Sequence, residues 1–191
     1  MKIFKKTLEA ADACRDQVIL FEQWLGKRKY CKITKHNLLS AHDAGLDVIW
    51  AAKEGLLGKI DWSKFALGAA ERVAPIYRQQ YPEDDRVDRC IDVTRKYIAG
   101  EATWKELLVA RADANAAAYT AADAAATAAY YAANTAYCAA EAAYYAAAGA
   151  AYNAAYYAAD AAYFAADAAS ADVLENRWQI ELLWECKVYV F

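Results

Sequence analysis

The chain has 191 residues, with 22 Lys and Arg against 25 Asp and Glu, for a formal net charge of −3. That length supports one domain with a sizeable core or two small ones, and the mild negative charge argues against generic nucleic-acid binding. Five scattered cysteines (Cys14, Cys31, Cys90, Cys138, Cys186) form no Cys-x-x-Cys pair and read as reduced, mostly buried thiols.

Met1–Lys6 leads into Leu8-Glu9-Ala10-Ala11-Asp12 rather than an apolar stretch, so no secretory signal is read and the cytoplasm is the expected location. The first helix is expected from Leu8 to Leu25, with Cys14, Val18, Phe21 and Leu25 at helical spacing and Gly26 closing it. A basic connector follows, Lys27, Arg28, Lys29, Lys32 and Lys35 with Tyr30 among them. It reads as a solvated loop, with a phosphate or an acidic partner as the sharper alternative. Thr34 suits the N-cap of a short helix ending near Ala44 and Gly45, and Asp47 that of Val48–Lys53.

Asp61 starts a helix predicted over Trp62–Gln80, in which Pro75 should produce a kink or a break. Tyr81-Pro82-Glu83-Asp84-Asp85 is a turn whose carboxylates suit the positive end of the following helix dipole. That helix should end at Ile98, before Gly100. Arg86 and Arg89 are expected to form local ion pairs there, which competes with reading the acidic cluster as a cation site. Thr103 then caps a helix beginning Trp104-Lys105-Glu106.

From Ala110 to Asp172, 36 of 63 residues are Ala and ten are Tyr, with no Leu, Ile, Val, Met or Pro. Alanine makes the segment helical but brings little buried area, so its helices should pack closely, with tyrosine supplying the bulk. One unbroken helix would be about 95 Å long at about 1.5 Å per residue. The segment must therefore fold back into two or three antiparallel helices, with a break at Thr120-Ala121-Ala122-Asp123, read as a capping box, and another at Gly149 before Asn153. Its interspersed carboxylates exclude a membrane span. A last amphipathic helix is expected over Val173 to Cys186, with Val188–Phe191 as an apolar extended tail. No stretch alternates as a strand should. The predicted fold is all-α: a small helical module over 1–60 and an antiparallel Ala/Tyr-rich bundle over 61–191, joined in one continuous domain or separate.

Within the window, polar residues recur seven apart at Asp113, Thr120, Thr127, Asn134 and Glu141, and tyrosines at Tyr130, Tyr137 and Tyr144. This period gives packed helices distinct faces. The plain reading sends the polar stripe to solvent and Tyr with Ala inward. The sharper one makes Tyr130, Tyr137, Tyr144, Tyr156 and Tyr163, with Asn134 and Asp160, the wall of a polar ligand cavity, because buried tyrosine hydroxyls need partners. Thr120, Thr127 and Thr135 do not keep the eleven-residue spacing of an ice-binding face.

Chemistry has few footholds. His36 and His42 stand six apart and do not share a helix face, no Glu-x-x-His occurs, and Ser40, Ser63 and Ser170 sit in no nucleophile context. No catalytic residue, metal site or cofactor is expected.

Ala74-Pro75-Ile76-Tyr77-Arg78-Gln79-Gln80-Tyr81-Pro82-Glu83-Asp84-Asp85-Arg86, Ala99-Gly100-Glu101, the Ala-rich section and Glu175-Asn176-Arg177-Trp178-Gln179 together carry a resemblance. Over roughly residues 62–180 the chain resembles the all-helical proteins described as putative immunity proteins in bacteria and their phages. Those proteins usually have Pro after the turn Arg, where this chain has Val87, and His in the Ala-rich helices, where this chain has Tyr. The resemblance implies a non-catalytic antagonist that binds an effector. Two targets follow. One is a nucleotide-type immune signal, sequestered by a phage anti-defence protein, with tyrosines stacking on bases and Arg86 among the groups holding phosphate. The other is a toxin or defence enzyme, neutralised as a protein partner. Homo-oligomerisation through exposed Tyr/Ala faces is a third expectation; neither membrane association nor specific DNA binding is expected.

Overall fold

A computed structural model of the chain describes residues 2–123, 126–169 and 177–188. It is an all-α protein with close helix packing. Ten helices occur among the described residues, with one two-stranded sheet of two residues per strand. The chain divides into two compact units, residues 1–60 with 172–191, and residues 61–171.

In the first unit β1 (Lys2–Ile3) pairs antiparallel with β2 (Cys31–Lys32), setting Lys2 opposite Lys32. This ladder is too short for any alternating pattern to have announced it. The single helix expected over 8–25 is two, α1 (Lys5–Ala10) and α2 (Arg15–Leu25). Asp12 breaks it by taking a positive φ of 57°, a left-handed conformation that Asp tolerates better than most residues. α3 (Lys35–Asp43) starts where Thr34 Oγ1 accepts from Asn37 N–H at 3.1 Å, and α4 (Val48–Lys53) where Asp47 accepts from Trp50 N–H at 2.7 Å. The core holds large side chains, among them Leu8, Phe21, Leu38, Ile49 and Leu57.

α10 (Arg177–Glu185) packs on α3, with Arg177 Nη1 3.1 Å from Asp43 and Lys35 3.8 Å from Glu181. The C-terminal helix thus groups with the N-terminal residues, where the sequence reading had placed it in 61–191. Its expected start at Val173 lies outside the described residues. Of the expected tail, Val188 N–H donates to the Lys59 carbonyl at 2.9 Å and the rest lies outside them.

The second unit contains α5 (Trp62–Gln80), α6 (Arg86–Ile98), α7 (Trp104–Asp123), α8 (Thr127–Ala147) and α9 (Ala151–Ala169). α8 is the central helix, packed against α5, α6, α7 and α9. α5 runs through Pro75 without a break. Pro75 lies on an exposed side of the helix, so water can serve the carbonyl that its missing N–H leaves free. Thr120 is not a cap: it lies inside α7, and its hydroxyl donates back to the Ala116 carbonyl at 3.0 Å. α7 is described to Asp123, and α8 begins at Thr127 with Ala126 as its N-cap. At the other expected break Gly149 takes φ of 75°, and Ala150 N–H reaches the Tyr145 carbonyl at 2.9 Å, closing α8 with a Schellman turn.

The bundle interior corrects the expectation of inward tyrosines. Every buried residue of α9 is alanine, and α8 buries Ala129, Ala132, Ala136 and their neighbours along its length. None of the ten tyrosines of the window is buried; they flank the Ala seams. Tyr131 stacks on Phe164 at 6.0 Å and Tyr145 on Tyr157 at 5.3 Å, binding α8 to α9 at their edge. Ring-to-ring packing thereby adds to an interface whose methyl groups bury little area each.

Candidate functional site

α7 opens with a reciprocal cap. Thr103 Oγ1 accepts from Glu106 N–H at 3.3 Å, and the Glu106 carboxylate accepts from Thr103 N–H at 2.7 Å. This fixes the first turn and the direction of Trp104. Positions 104, 107, 108 and 111 then fall on one face, as do 137, 140, 141 and 144 on α8, because residues three, four and seven apart share a helix side. The two faces meet around a cavity of about 160 Å³ lined by Trp104, Leu107, Leu108, Arg111, Ala140 and Tyr144.

Beside it lies the most deeply placed charge of the bundle. Glu141 is 4% exposed. Arg111 Nη1 approaches Glu141 Oε1 at 2.6 Å, and the Tyr137 hydroxyl donates to the same oxygen at 3.0 Å. Arg111 also stands 5.9 Å from the centre of the Tyr137 ring. Burial first, and the Glu141 charge second, push the Tyr137 hydroxyl up to about 12. The hydroxyl therefore stays protonated at neutral pH and acts as a donor. Glu141 departs from the expected solvent-facing stripe because Arg111 and Tyr137 together neutralise and hydrogen-bond its carboxylate, making burial tolerable.

Above the pair the surface is apolar. Trp104 is 53% exposed, Leu108 43% and Tyr144 40%. Tyr144 contacts Tyr145 at 5.2 Å, Tyr145 stacks on Tyr157, and Tyr157 meets Tyr156 edge-on at 5.5 Å. An aromatic band thus runs from Tyr144 on α8 to Tyr156 on α9.

The sequence-predicted site residues are only partly gathered. Of the five tyrosines, Tyr144 lines the cavity and Tyr137 joins through Glu141. Tyr130 lies two turns further toward the start of α8, and Tyr156 and Tyr163 lie on exposed positions of α9 with Asp160 between them in sequence. Asn134 spends its amide on the Tyr130 carbonyl of its own helix, at 3.0 Å. Arg86 is engaged elsewhere: its guanidinium grips Asp84, with Nη2 at 2.6 Å, and reaches the Thr120 hydroxyl at 3.2 Å.

That turn is a structural clasp. The Tyr77 hydroxyl, from buried Tyr77 of α5, donates to Asp84 at 2.7 Å. Arg86 beside it holds the Asp84 carboxyl well below its usual range. Three further carboxylates of this region are ion-paired, Asp85 with Arg89, Asp88 with Arg78 and Asp92 with Lys96. Among the described residues no group of His, Cys, Asp and Glu is arranged to hold a metal ion, and no helix is long and apolar enough to cross a membrane.

Trp104, Leu108, Arg111 and Glu141 were not singled out from sequence. Two signals point to the last two of these. Glu141 is the only Glu between Ala110 and Asp172, and Arg111 is the last cation before Arg177.

Residues 57–186 match the family described as Imm-5 like putative immunity protein. The chain belongs to that family. No curated protein and no solved structure matches it.

Proposed function

We propose that this protein is a non-catalytic antagonist of the immunity type, which neutralises a protein effector by docking it on the α7–α8 face. The observation that carries this reading is the exposed Trp104, Leu108 and Tyr144 set around the Arg111–Glu141 pair. Trp, Tyr and Arg dominate binding energy at protein interfaces, where a few large side chains at a desolvated centre outweigh the rest of the contact. Charge indicates the partner. α8 and α9 contain no Lys or Arg and carry Asp160 and Asp167 besides the neutralised Glu141, so a basic docking face would be attracted and steered to this side.

The finer alternative is sequestration of a nucleotide-type immune signal by an anti-defence protein in phage–bacteria conflict. Exposed Tyr144, Tyr152 and Tyr156 offer stacking faces for it. Against it, Arg86, Arg89 and Arg111, the cations a phosphate would need, are each committed to a carboxylate.

The test is co-expression with toxin domains encoded beside the gene, scored by cell survival and by a complex that persists on gel filtration. Trp104→Ala with Tyr144→Ala should abolish both while leaving the melting curve close to that of the parent, since both side chains are largely exposed. Full protection by that double variant would remove the α7–α8 face from the mechanism. Micromolar binding of cyclic oligonucleotides or ADP-ribose derivatives in calorimetry, without any protein complex, would favour sequestration instead.

A further inference from the structure

The first unit carries a second surface of opposite character. Residues 27–35 hold Lys27, Arg28, Lys29, Lys32 and Lys35 with no carboxylate among them, and β1 brings Lys2 directly across from Lys32. Like charges opposite one another in a ladder are destabilising. The local geometry concentrates the charge further. Lys2 lies over the Tyr30 ring at 4.2 Å, Phe4 packs against Tyr30 at 5.6 Å, and Arg28 is pinned over Trp24 at 4.5 Å with two of its nitrogens on backbone carbonyls. Among the described residues only Lys35 of this group pairs with a carboxylate, Glu181, while Lys5 nearby in sequence pairs with Glu9 and Glu22. Lys2, Lys27, Arg28, Lys29 and Lys32 make no ion pair among the described residues. An open depression of about 400 Å³, lined by Arg28, Lys29, Tyr30, Lys32 and Asn37, lies in their midst.

We propose that this surface binds the phosphodiester backbone of a single-stranded nucleic acid without sequence preference. Five cations spread over both strands and the connector fit an extended chain of phosphates better than one phosphate group. Tyr30 inside the basic groove is the aromatic element that single-strand binders combine with such charge. A membrane surface is disfavoured because, among the described residues, the large apolar side chains exposed in this unit are Ile19 and Val188, neither of them in the patch. The net charge of the chain conceals the site, because the acidic bundle cancels it in the sum. The proposal is independent of the α7–α8 face.

The experiment is fluorescence anisotropy of labelled 20-nucleotide oligo(dT) and oligo(U) with the full chain. Three neutralised phosphates give a slope of about −2 in log K against log salt, so affinity should fall about 20-fold between about 50 and 200 mM salt. Lys29→Glu with Lys32→Glu, both exposed, should weaken binding at least tenfold and flatten the slope. Lys29→Arg with Lys32→Arg should retain binding, and Trp104→Ala with Tyr144→Ala should not alter it. Circular dichroism confirms that the variants are folded. The proposal is overturned if neither oligonucleotide binds at tens of micromolar, if the charge-reversed variant binds as the parent does, or if binding ignores salt. It is equally overturned if tripolyphosphate binds as tightly as the oligonucleotides, or if phosphatidylserine vesicles bind and oligonucleotides do not.

Discussion

The two units solve the same packing problem with opposite materials. The first fills its interior with Leu, Phe and Ile, caps its short helices with Thr34 and Asp47, and leaves an unbalanced patch of cations outside. The second, at α8 and α9, fills its interior with methyl groups and keeps its large rings on the flanks. A core of large side chains draws its stability from buried area per residue. An alanine seam draws it from close approach of backbones along whole helices, supplemented by ring contacts at the edge. The first arrangement is vulnerable to loss of volume and the second to its gain.

Paired substitutions break this comparison most strongly. Leu57→Ala, at a site 2% exposed, should cost about 2–5 kcal/mol by emptying a filled space, measured by urea denaturation. Ala158→Leu, at a site with no exposure, should cost about 1–3 kcal/mol by forcing the seam apart. If the larger side chain at 158 is neutral or stabilising, the seam is not close-packed and the contrast fails.

Next comes the one charge the seam tolerates. Arg111→Met leaves Glu141 without its cation and should destabilise by about 3 kcal/mol, toward the low end for a buried pair because Arg111 keeps some contact with solvent. Adding Glu141→Leu should restore most of that stability. A double variant no better than the single one would show that the carboxylate is needed for something other than pairing.

The smallest effect concerns the Asp84 clasp. Its carboxyl ionises below its ordinary value of 3.8, so near and below that pH the folded protein binds fewer protons than the unfolded chain. The stabilisation is complete above that value and is lost progressively as the pH falls from it through the lower value of the folded state. The margin by which the parent melts above Asp84→Asn should therefore hold from pH 6 to about pH 4 and begin to narrow from there to pH 3. Parallel curves would exclude Asp84 as the titrating group.

Helix limits were largely legible because single residues write them: Asp61 before α5, Thr103 with Glu106 at α7, Gly149 after α8. Depth in the bundle was not. A seven-residue period tells which residues share a face, but not which face turns inward, and alanine gives no preference because it fits either. Glu141 stands in the same stripe as Asp113 and Thr120, which also meet arginines from a neighbouring helix, yet of the three only Glu141 is buried where it meets its arginine. That meeting depends on the alignment of α7 with α8, which spacing along one helix does not encode. The basic connector was legible as a composition, whereas the pairing that adds Lys2 to it arises from a strand of two residues.

The absence of lysine and arginine between Arg111 and Arg177 has a practical consequence. Trypsin has no cleavage site between those residues, and amine-reactive cross-linkers find no lysine on α8 or α9. A partner seated on these helices would thus escape the commonest mapping chemistries. Phenol-directed labelling reaches the region instead, since Tyr119, Tyr144, Tyr152, Tyr156 and Tyr163 are all at least 40% exposed. Loss of label at Tyr144, with Tyr119 still modified, would give the footprint of whatever this protein holds.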